Sequence, residues 1–238
     1  MMEDPELDPI RNWTWEAMEP EDRAALRPHI QRRHLPRGDV LMSAEDSVDV
    51  VYFPVTADIA NVVRLPDGET GMATTVGRDG LTGLAAFLAD EPMGWDIQVQ
   101  IEGYAWALSA DLLRRRAEVS PALRALLLRL THRNQVEAAV NTVCNLSHDT
   151  PSRLARWLLT TQDRTSLAEF KVLQQELADW LGVRRTTMVE ACRDLGRQGA
   201  IRNRRGRISI IDRSALKKTA CCCYALTARG GQYVASAF

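Results

Sequence analysis

The segment Gln174 to Gln198, QQELADWLGVRRTTMVEACRDLGRQ, constrains this chain more than any other. Its spacing is that of two short helices crossing at a tight turn. Ala178 is small where the helices must approach closely. Gly182 can take the positive φ that ends the first helix. Met188 supplies an apolar side chain to the inner face of the second helix, and Leu177, Leu181, Cys192 and Leu195 complete that stripe. The opposite face displays Arg184, Arg185, Thr186, Thr187, Glu190, Arg193 and Arg197. A helix N-terminus carrying guanidinium and hydroxyl donors suits the phosphates and base edges of a DNA major groove.

The adjoining segment strengthens that reading. Residues 200–211, AIRNRRGRISII, form two short β-prone runs around an Arg-Gly turn, a basic hairpin of the kind called a wing. Between Arg184 and Arg213 nine arginines stand against Glu190, Asp194 and Asp212, a net charge of +6. Neutralising phosphates with such groups releases counterions, so binding should weaken steeply with salt. A merely solvated arginine-rich face is the plainer alternative, and the adjacency of helix pair and hairpin favours DNA. Enzyme signatures are missing: there is no phosphate-binding Gly-x-x-x-x-Gly-Lys loop, no His-Glu-x-x-His and no Gly-x-Ser-x-Gly. Ser214 to Lys217 fits Ser-x-x-Lys but lacks the partner motifs.

The overall net charge of −1 conceals a partition. Residues 1–120 hold 11 basic and 22 acidic side chains, a net of −11, and residues 121–238 hold 19 and 9, a net of +10. Two regions of opposite charge suggest two tasks, the basic one facing an anionic partner. No apolar run is long enough to span a membrane, and the acidic start has no secretory n-region. The five cysteines, Cys144, Cys192 and Cys221 to Cys223, make no disulfide framework and suit a reducing compartment.

After an irregular start, Pro20 to Gln31 reads as a short helix. Val50 to Phe53, Ile59 to Val63 and Gly71 to Val76 are short, β-branched-rich runs separated by turn residues. Trp95, Ile97, Val99 and Ile101 alternate with Asp96, Gln98 and Gln100, the period of a half-buried strand. Tyr104, Trp106 and Leu108 repeat the alternation after Gly103, as an antiparallel neighbour would. Residues 35–110 therefore predict an antiparallel β roll. Ser120-Pro121 then opens a long helix to Asn145, with Leu123, Leu126, Leu127 and Leu130 at i, i+3, i+4 and i+7. Its apolar face serves either a subunit interface or its own β domain, and the length favours the interface. Asp149-Thr150-Pro151 opens another helix.

From these residues the chain is recognisable. LQQELADWLGVRRTTMVEA, then GAIRNRRGRISIIDR and CCCY, resembles the DNA-binding domain of the Crp/Fnr superfamily of bacterial transcription regulators, within a subgroup ending in a Cys-x-Cys-Tyr-like segment. Upstream, LPRG near Leu35, VYFP at Val51, VGRDGLTG at Val76, CNLSH at Cys144 and SRLARWLL agree, so the resemblance spans nearly the whole chain. It implies an α+β chain with an N-terminal cyclic-nucleotide-binding-like antiparallel β roll (1–119), a long dimerisation helix (120–147) and a C-terminal winged helix-turn-helix domain (148–238). It further implies a cytoplasmic bacterial homodimer on double-stranded DNA with an approximately palindromic site, with RNA polymerase as a candidate partner. Arg185, Thr186 and Glu190 would read bases. Gln174, Gln175, Arg184, Thr187, Arg193, Arg204, Arg205 and Arg207 would hold the backbone.

The departures concern the signal. Cyclic-nucleotide-binding members carry Gly-Glu-Leu and then Arg-Ser or Arg-Ala, with Glu on the ribose and Arg on the phosphate. Here stand Gly83-Leu84-Ala85 and Gly94-Trp95-Asp96, with Asp96 set to repel a phosphate, so no cyclic nucleotide is expected. No cysteine precedes Cys144, so the N-terminal iron–sulfur sensor of other members is not expected. Haem, on His29 or His34, stays open as an alternative, beside another small ligand or no signal at all. Thr186 replaces a common Glu, and Glu190 sits where some members carry a second arginine, so the operator should differ from the family's familiar ones. Leu173 replaces a frequent Thr cap, which forgoes about 1 kcal/mol. Cys221 to Cys223 read as structural, no other Cys or His lying at zinc-ligand spacing in the sequence, and no metal is expected. Trp13, Trp15, Trp95 and Trp106 read as core filling rather than the lining of an effector pocket.

Overall fold

The computed structural model describes residues 10–227, the side chains of residues 85 and 86 excepted. A short helix α1 (Trp13–Glu16) and α2 (Pro20–Leu26) precede a 3-10 turn at Arg27–His29. The chain then becomes β1 (Gln31–Leu35), β2 (Val40–Met42), β3 (Val50–Pro54), β4 (Asp58–Arg64) and β5 (Thr70–Val76). After α3 (Leu84–Ala89) come β6 (Asp96–Ile101) and β7 (Gly103–Ser109). The antiparallel roll is thus as expected, though it begins earlier: Gln31 opens a strand instead of closing a helix.

Two sheets share the roll, ordered β1-β7-β3 and β2-β6-β4-β5. The expected pairing of the 95–101 and 104–108 runs does not occur. β6 pairs with β2 and β4, whereas β7 pairs with β1 and β3. Only Glu102 separates the two strands, too little chain for even a two-residue hairpin loop, so the backbone bends from one sheet into the other. One apolar cluster fills the space between the sheets, with Val51, Phe53 and Leu108 from one and Ile59, Ile97 and Val99 from the other. Tyr104 faces outward, with Arg32 stacked 4.2 Å over its ring.

Behind the roll, α4 (Ala110–Val119) leads into α5 (Pro121–Ser147), a 27-residue helix. Its start is capped as the sequence predicts: the Leu123 N–H donates to Ser120 Oγ at 3.2 Å, and Pro121 takes the first turn. Of the two uses weighed for this helix, burial against its own β domain is seen in its first half. Leu123, Leu126, Leu127 and Leu130 are buried in the roll's core. Farther along, Val136, Val143 and Leu146 are exposed, as is Leu128 on the outer side of the first half.

The last third comprises α6 (Thr150–Thr165), β8 (Glu169–Lys171), α7 (Gln174–Trp180), α8 (Arg185–Arg197), β9 (Ile201–Arg204), β10 (Arg207–Ile210) and α9 (Arg213–Thr219). Asp149 caps α6 through the Ser152 N–H at 3.0 Å. Gly182 has φ +60 at the turn between α7 and α8, as its place requires. Leu177, Ala178, Met188 and Leu195 are fully buried, and Leu181 and Cys192 nearly so. Among the described residues no helix is long and apolar enough to cross a membrane.

The roll, the long helix and the last third meet around one buried guanidinium. Arg164 on α6 pairs with Asp79 after β5 at 3.1 Å and with Glu137 on α5 at 3.1 Å, and it donates to Thr75 Oγ1. A Cβ on Gly77 would lie 2.4 Å from Arg164 Cβ, so the close approach needs glycine there. Arg133 on α5 stands 3.8 Å from Asp79. Asp58 on β4 accepts from Thr161 Oγ1 at 3.2 Å, and its second oxygen has no partner among the described residues. Burial opposes ionisation of Asp79, but Arg164 and Arg133 overcome it and hold that carboxyl at about 2. Asp58 goes the other way. Burial, only partly offset by Arg164 and reinforced by Asp79 and Glu137, pushes it up to about 7.

A carboxyl raised from 3.8 to about 7 on folding keeps its proton in the native state while the unfolded chain has lost it. Its ionisation therefore removes stability as pH rises from about 4 to 7. Asp58→Asn should gain on the wild type over that range, so that its thermal midpoint exceeds wild type by a few degrees at pH 8 and by less at pH 5. Thermal unfolding at the two pH values checks this; a constant difference would contradict the buried, proton-holding Asp58.

Candidate nucleic-acid interface

α8 carries the residues expected to meet DNA, and its burial is one-sided. Met188, Ala191, Cys192 and Leu195 face the domain core. At 100° per residue, Thr186, Val189, Glu190 and Arg193 fall together on the opposite face, with Arg185 at its edge beside Cys192. The Arg185, Thr186, Glu190 and Arg193 side chains are exposed, whereas Val189 is half-buried. Arg184 is the residue before the first helical turn and is exposed too. Thr187 is half-buried and lies round the side of the helix, away from that face. Arg197 is paired with Asp194 at 3.0 Å.

The wing is as the sequence predicts, with one strand more. β9 and β10 pair antiparallel with Arg204 opposite Arg207, leaving Arg205-Gly206 as a two-residue turn. Both turn residues have positive φ, +49 and +73, the mirror-image turn that hairpins prefer. Asn or Gly is the usual occupant of the first position, and a left-handed arginine there costs roughly 1–2 kcal/mol. A cation held at the exposed tip of the wing is what that cost accompanies. β8 adds a third strand beside β10, and its Glu169 takes Arg207 at 3.0 Å and Ser209 at 2.8 Å. Those two partners hold the Glu169 carboxyl below its usual range. Arg207 is therefore engaged within the wing, while Arg204 and Arg205 are not ion-paired with any described residue.

Gln174, Gln175, Arg185, Arg193 and Arg205 line a single open groove of about 720 Å³ between α7, α8 and the wing. Asn203, not singled out in the sequence, lines it as well. Burial raises the Cys192 thiol, with Gln174 and Asn203 pulling it the other way. The missing Thr cap at Leu173 has a partial substitute: the Leu173 N–H donates to Glu176 at 2.7 Å. Glu176 also binds Arg37 from the turn before β2, tying the start of α7 to the roll. The Ser-x-x-Lys match is a helix start, with Ser214 donating to the α9 cap Asp212 at 2.7 Å.

A second cavity, about 430 Å³, lies between the roll and α5, where Gly83, Leu84 and Trp95 meet Asn61, Asn134 and Gln135. No charged side chain lines it among the described residues. The expected role of Asp96 needs correction. It does not line the cavity, but accepts from the Ala44 N–H at 3.0 Å and pairs with Arg64 at 3.2 Å. His29 and His34 are exposed, and neither reaches this cavity. The tryptophans do not form one cluster. Trp15 and Trp106 fill the core, Trp13 is partly exposed, and Trp95 lines the cavity, its indole N–H without a partner among the described residues.

The fold also does what sequence distance concealed. Cys144 at the end of α5 and His148 just after it come against Cys221 and Cys223, all four offering ligand atoms within 4.8 Å of one another. Cys144 lies in the last turn of α5, and His148, four residues on, is the extended residue that ends the helix.

Comparison with known proteins agrees with this architecture. Residues 32–118 match the cyclic nucleotide-binding domain family and residues 152–219 the Crp-like helix-turn-helix domain family. A CRP-like cAMP-activated global transcriptional regulator of Mycobacterium tuberculosis is 25% identical over 213 residues, covering 87% of this chain and 95% of that protein. A transcriptional regulator of the crp/fnr family from Eubacterium rectale shares the fold at TM-score 0.66 and 14% identity, over 86% of this chain and 96% of its own. A CRP-family regulator from Thermus thermophilus does so at TM-score 0.65 and 18% identity, over 79% and 96%. With a β roll, a long helix and a winged helix-turn-helix in that order, the chain belongs to the Crp/Fnr superfamily of DNA-binding transcription regulators.

Proposed function

We propose that this regulator works as a cytoplasmic homodimer that binds an approximately palindromic DNA site and does not respond to cyclic nucleotides. The observation that carries the DNA reading is the convergence of Gln174, Gln175, Arg185, Arg193 and Arg205 on one groove beside the exposed face of α8. Arg185 suits guanine and Glu190 suits the cytosine amino group, with Thr186 between them. Arg184, Arg204 and Arg205 suit phosphates. Thr187, turned to the side, and Arg207, held by Glu169, suit supporting roles at the edge of the contact.

Dimerisation is supported by α5. Leu128, Val136, Val143 and Leu146 stay exposed on a helix whose other face is buried, and apolar side chains in that arrangement gain by covering one another in a second copy. Two copies would place two α8 helices in major grooves about one helical turn (~34 Å) apart. As a regulator the dimer would act on transcription by engaging or occluding RNA polymerase.

Silence toward cyclic nucleotides is supported by the neutral cavity. A phosphate buried there would meet no guanidinium, and desolvating an unpaired charge is costly. A small uncharged ligand is the chemistry that this lining suits, which makes the cavity, rather than His29 or His34, the place where a signal would act.

In gel-shift titrations on a bound genomic fragment, Arg185→Ala with Glu190→Ala should lose about thirty-fold or more in specific affinity, since two base contacts at about 1–3 kcal/mol each sum to at least about 2 kcal/mol. Arg204→Ala with Arg205→Ala should weaken all sequences alike and flatten the log affinity–log salt slope by about one per lost phosphate contact. Undiminished binding by the first pair would overturn the assignment of the recognition helix. Leu128→Glu with Val143→Glu should halve the mass seen by sedimentation; a persistent dimer would remove α5 as the interface. Saturating cyclic AMP should leave DNA affinity within about twofold, and a tenfold tightening would contradict the reading of the cavity.

A further inference from the structure

The cluster at the junction of α5 and α6 has the composition and dimensions of a metal site. Cys144 Sγ and Cys221 Sγ are 3.6 Å apart, and Cys223 Sγ is 3.8 Å from His148 Nδ1. Four donors around one ion at zinc–sulfur and zinc–nitrogen distances of ~2.0–2.3 Å form a tetrahedron whose edges are about 3.3–3.8 Å. The donor atoms, none more than 4.8 Å from another, are therefore close to that tetrahedron already. A 3.6 Å sulfur–sulfur separation is also too long for a disulfide, whose bond is ~2.05 Å. An iron–sulfur cluster would need its thiolates spread around a much wider core.

The surroundings are prepared as well. Cys144, Cys221 and Cys223 are buried, with Val140 packed against them. The Cys221 to Cys223 segment is fixed from behind by Tyr224, whose hydroxyl donates to Asp163 at 2.7 Å and accepts from Arg213 at 2.9 Å. Arg156 and Arg153 bring positive charge to the thiols from α6. Each has a buried Nε without a partner among the described residues. Three thiolates and one neutral imidazole around a dication carry a net charge of −1, which suits two neighbouring guanidiniums.

We propose that Cys144, His148, Cys221 and Cys223 bind one zinc ion in a closed, structural site. The ion takes three thiolates and the His148 Nδ1 lone pair, and three thiol protons pass to solvent. With all four positions filled by protein, the site does no chemistry on a substrate. It joins the end of the long helix to the segment after α9, so the orientation of the winged domain on α5 comes to depend on metal. Cys222 is exposed, and its Sγ lies 3.8 Å from the other ring nitrogen of His148; it is a neighbour rather than a ligand.

The test uses full-length protein without a polyhistidine tag, purified under reducing conditions from zinc-supplemented cells. Elemental analysis should find one zinc per chain in the wild type and in Cys222→Ser, and under a tenth of that in Cys223→Ser and His148→Ala. Because those variants could lose metal by misfolding, wild-type protein stripped with a chelator is also titrated with cobalt. One equivalent should produce the thiolate-to-cobalt charge-transfer band and the intense visible absorption of a tetrahedral site, and zinc should displace it. Re-adding zinc should also restore the thermal midpoint lowered by stripping. Zinc-free protein with no cobalt band would overturn the proposal. So would a Cys144–Cys221 disulfide in the reduced preparation, or stoichiometric iron with sulfide.

Discussion

Arg164 holds three parts of the chain with one side chain. Its guanidinium reaches Asp79 and Thr75 of the roll and Glu137 of the long helix, while its backbone belongs to α6 of the DNA-binding third. Arg78 closes the joint from the other side, donating to the Arg164 carbonyl at 2.7 Å and to the Val55 carbonyl at 3.2 Å. Buried charges of this kind are weak sources of net stability but costly to leave unpaired. The arrangement therefore specifies one relative placement of roll, helix and winged domain. Ile101 of the roll lies in the apolar core of the last third, and Arg37 binds Glu176 at the start of α7.

Much of this was legible in the sequence because the relevant interactions are local. The α7–turn–α8 unit comes from Ala178, Gly182 and Met188 at their spacing, and the wing from an Arg-Gly turn between β-prone runs. The cap at Ser120 and the strand runs of the roll obey equally local rules. Pairing was not legible: alternation says that 95–101 and 104–108 are strands, but which sheet each joins is decided by partners 34 to 76 residues away. The three-residue strand β8 was too short to show a period. Arg164 was unreadable as a junction because each of its acidic partners is distant in sequence. The same holds for Cys144 and His148, whose approach to Cys221 and Cys223 spans more than 70 residues.

The charge partition acquires a structural meaning. The basic half concentrates its arginines on α8 and the wing, on one side of the last third. The acidic half forms a roll that would be repelled by DNA, so binding is directed to one face. Among the described residues no charged side chain lines the cavity between the roll and α5. Asp96, the one acidic residue singled out there, is spent on Arg64 and the Ala44 amide.

The proposed regulatory role rests on two copies of the α8–wing surface reading DNA together. A genome-wide binding profile of the intact protein tests it most directly. The predicted result is an enriched motif with two-fold symmetry and half-sites about one helical turn apart. Reproducible sites built on a single unpaired half-site, or on no shared sequence, would contradict it.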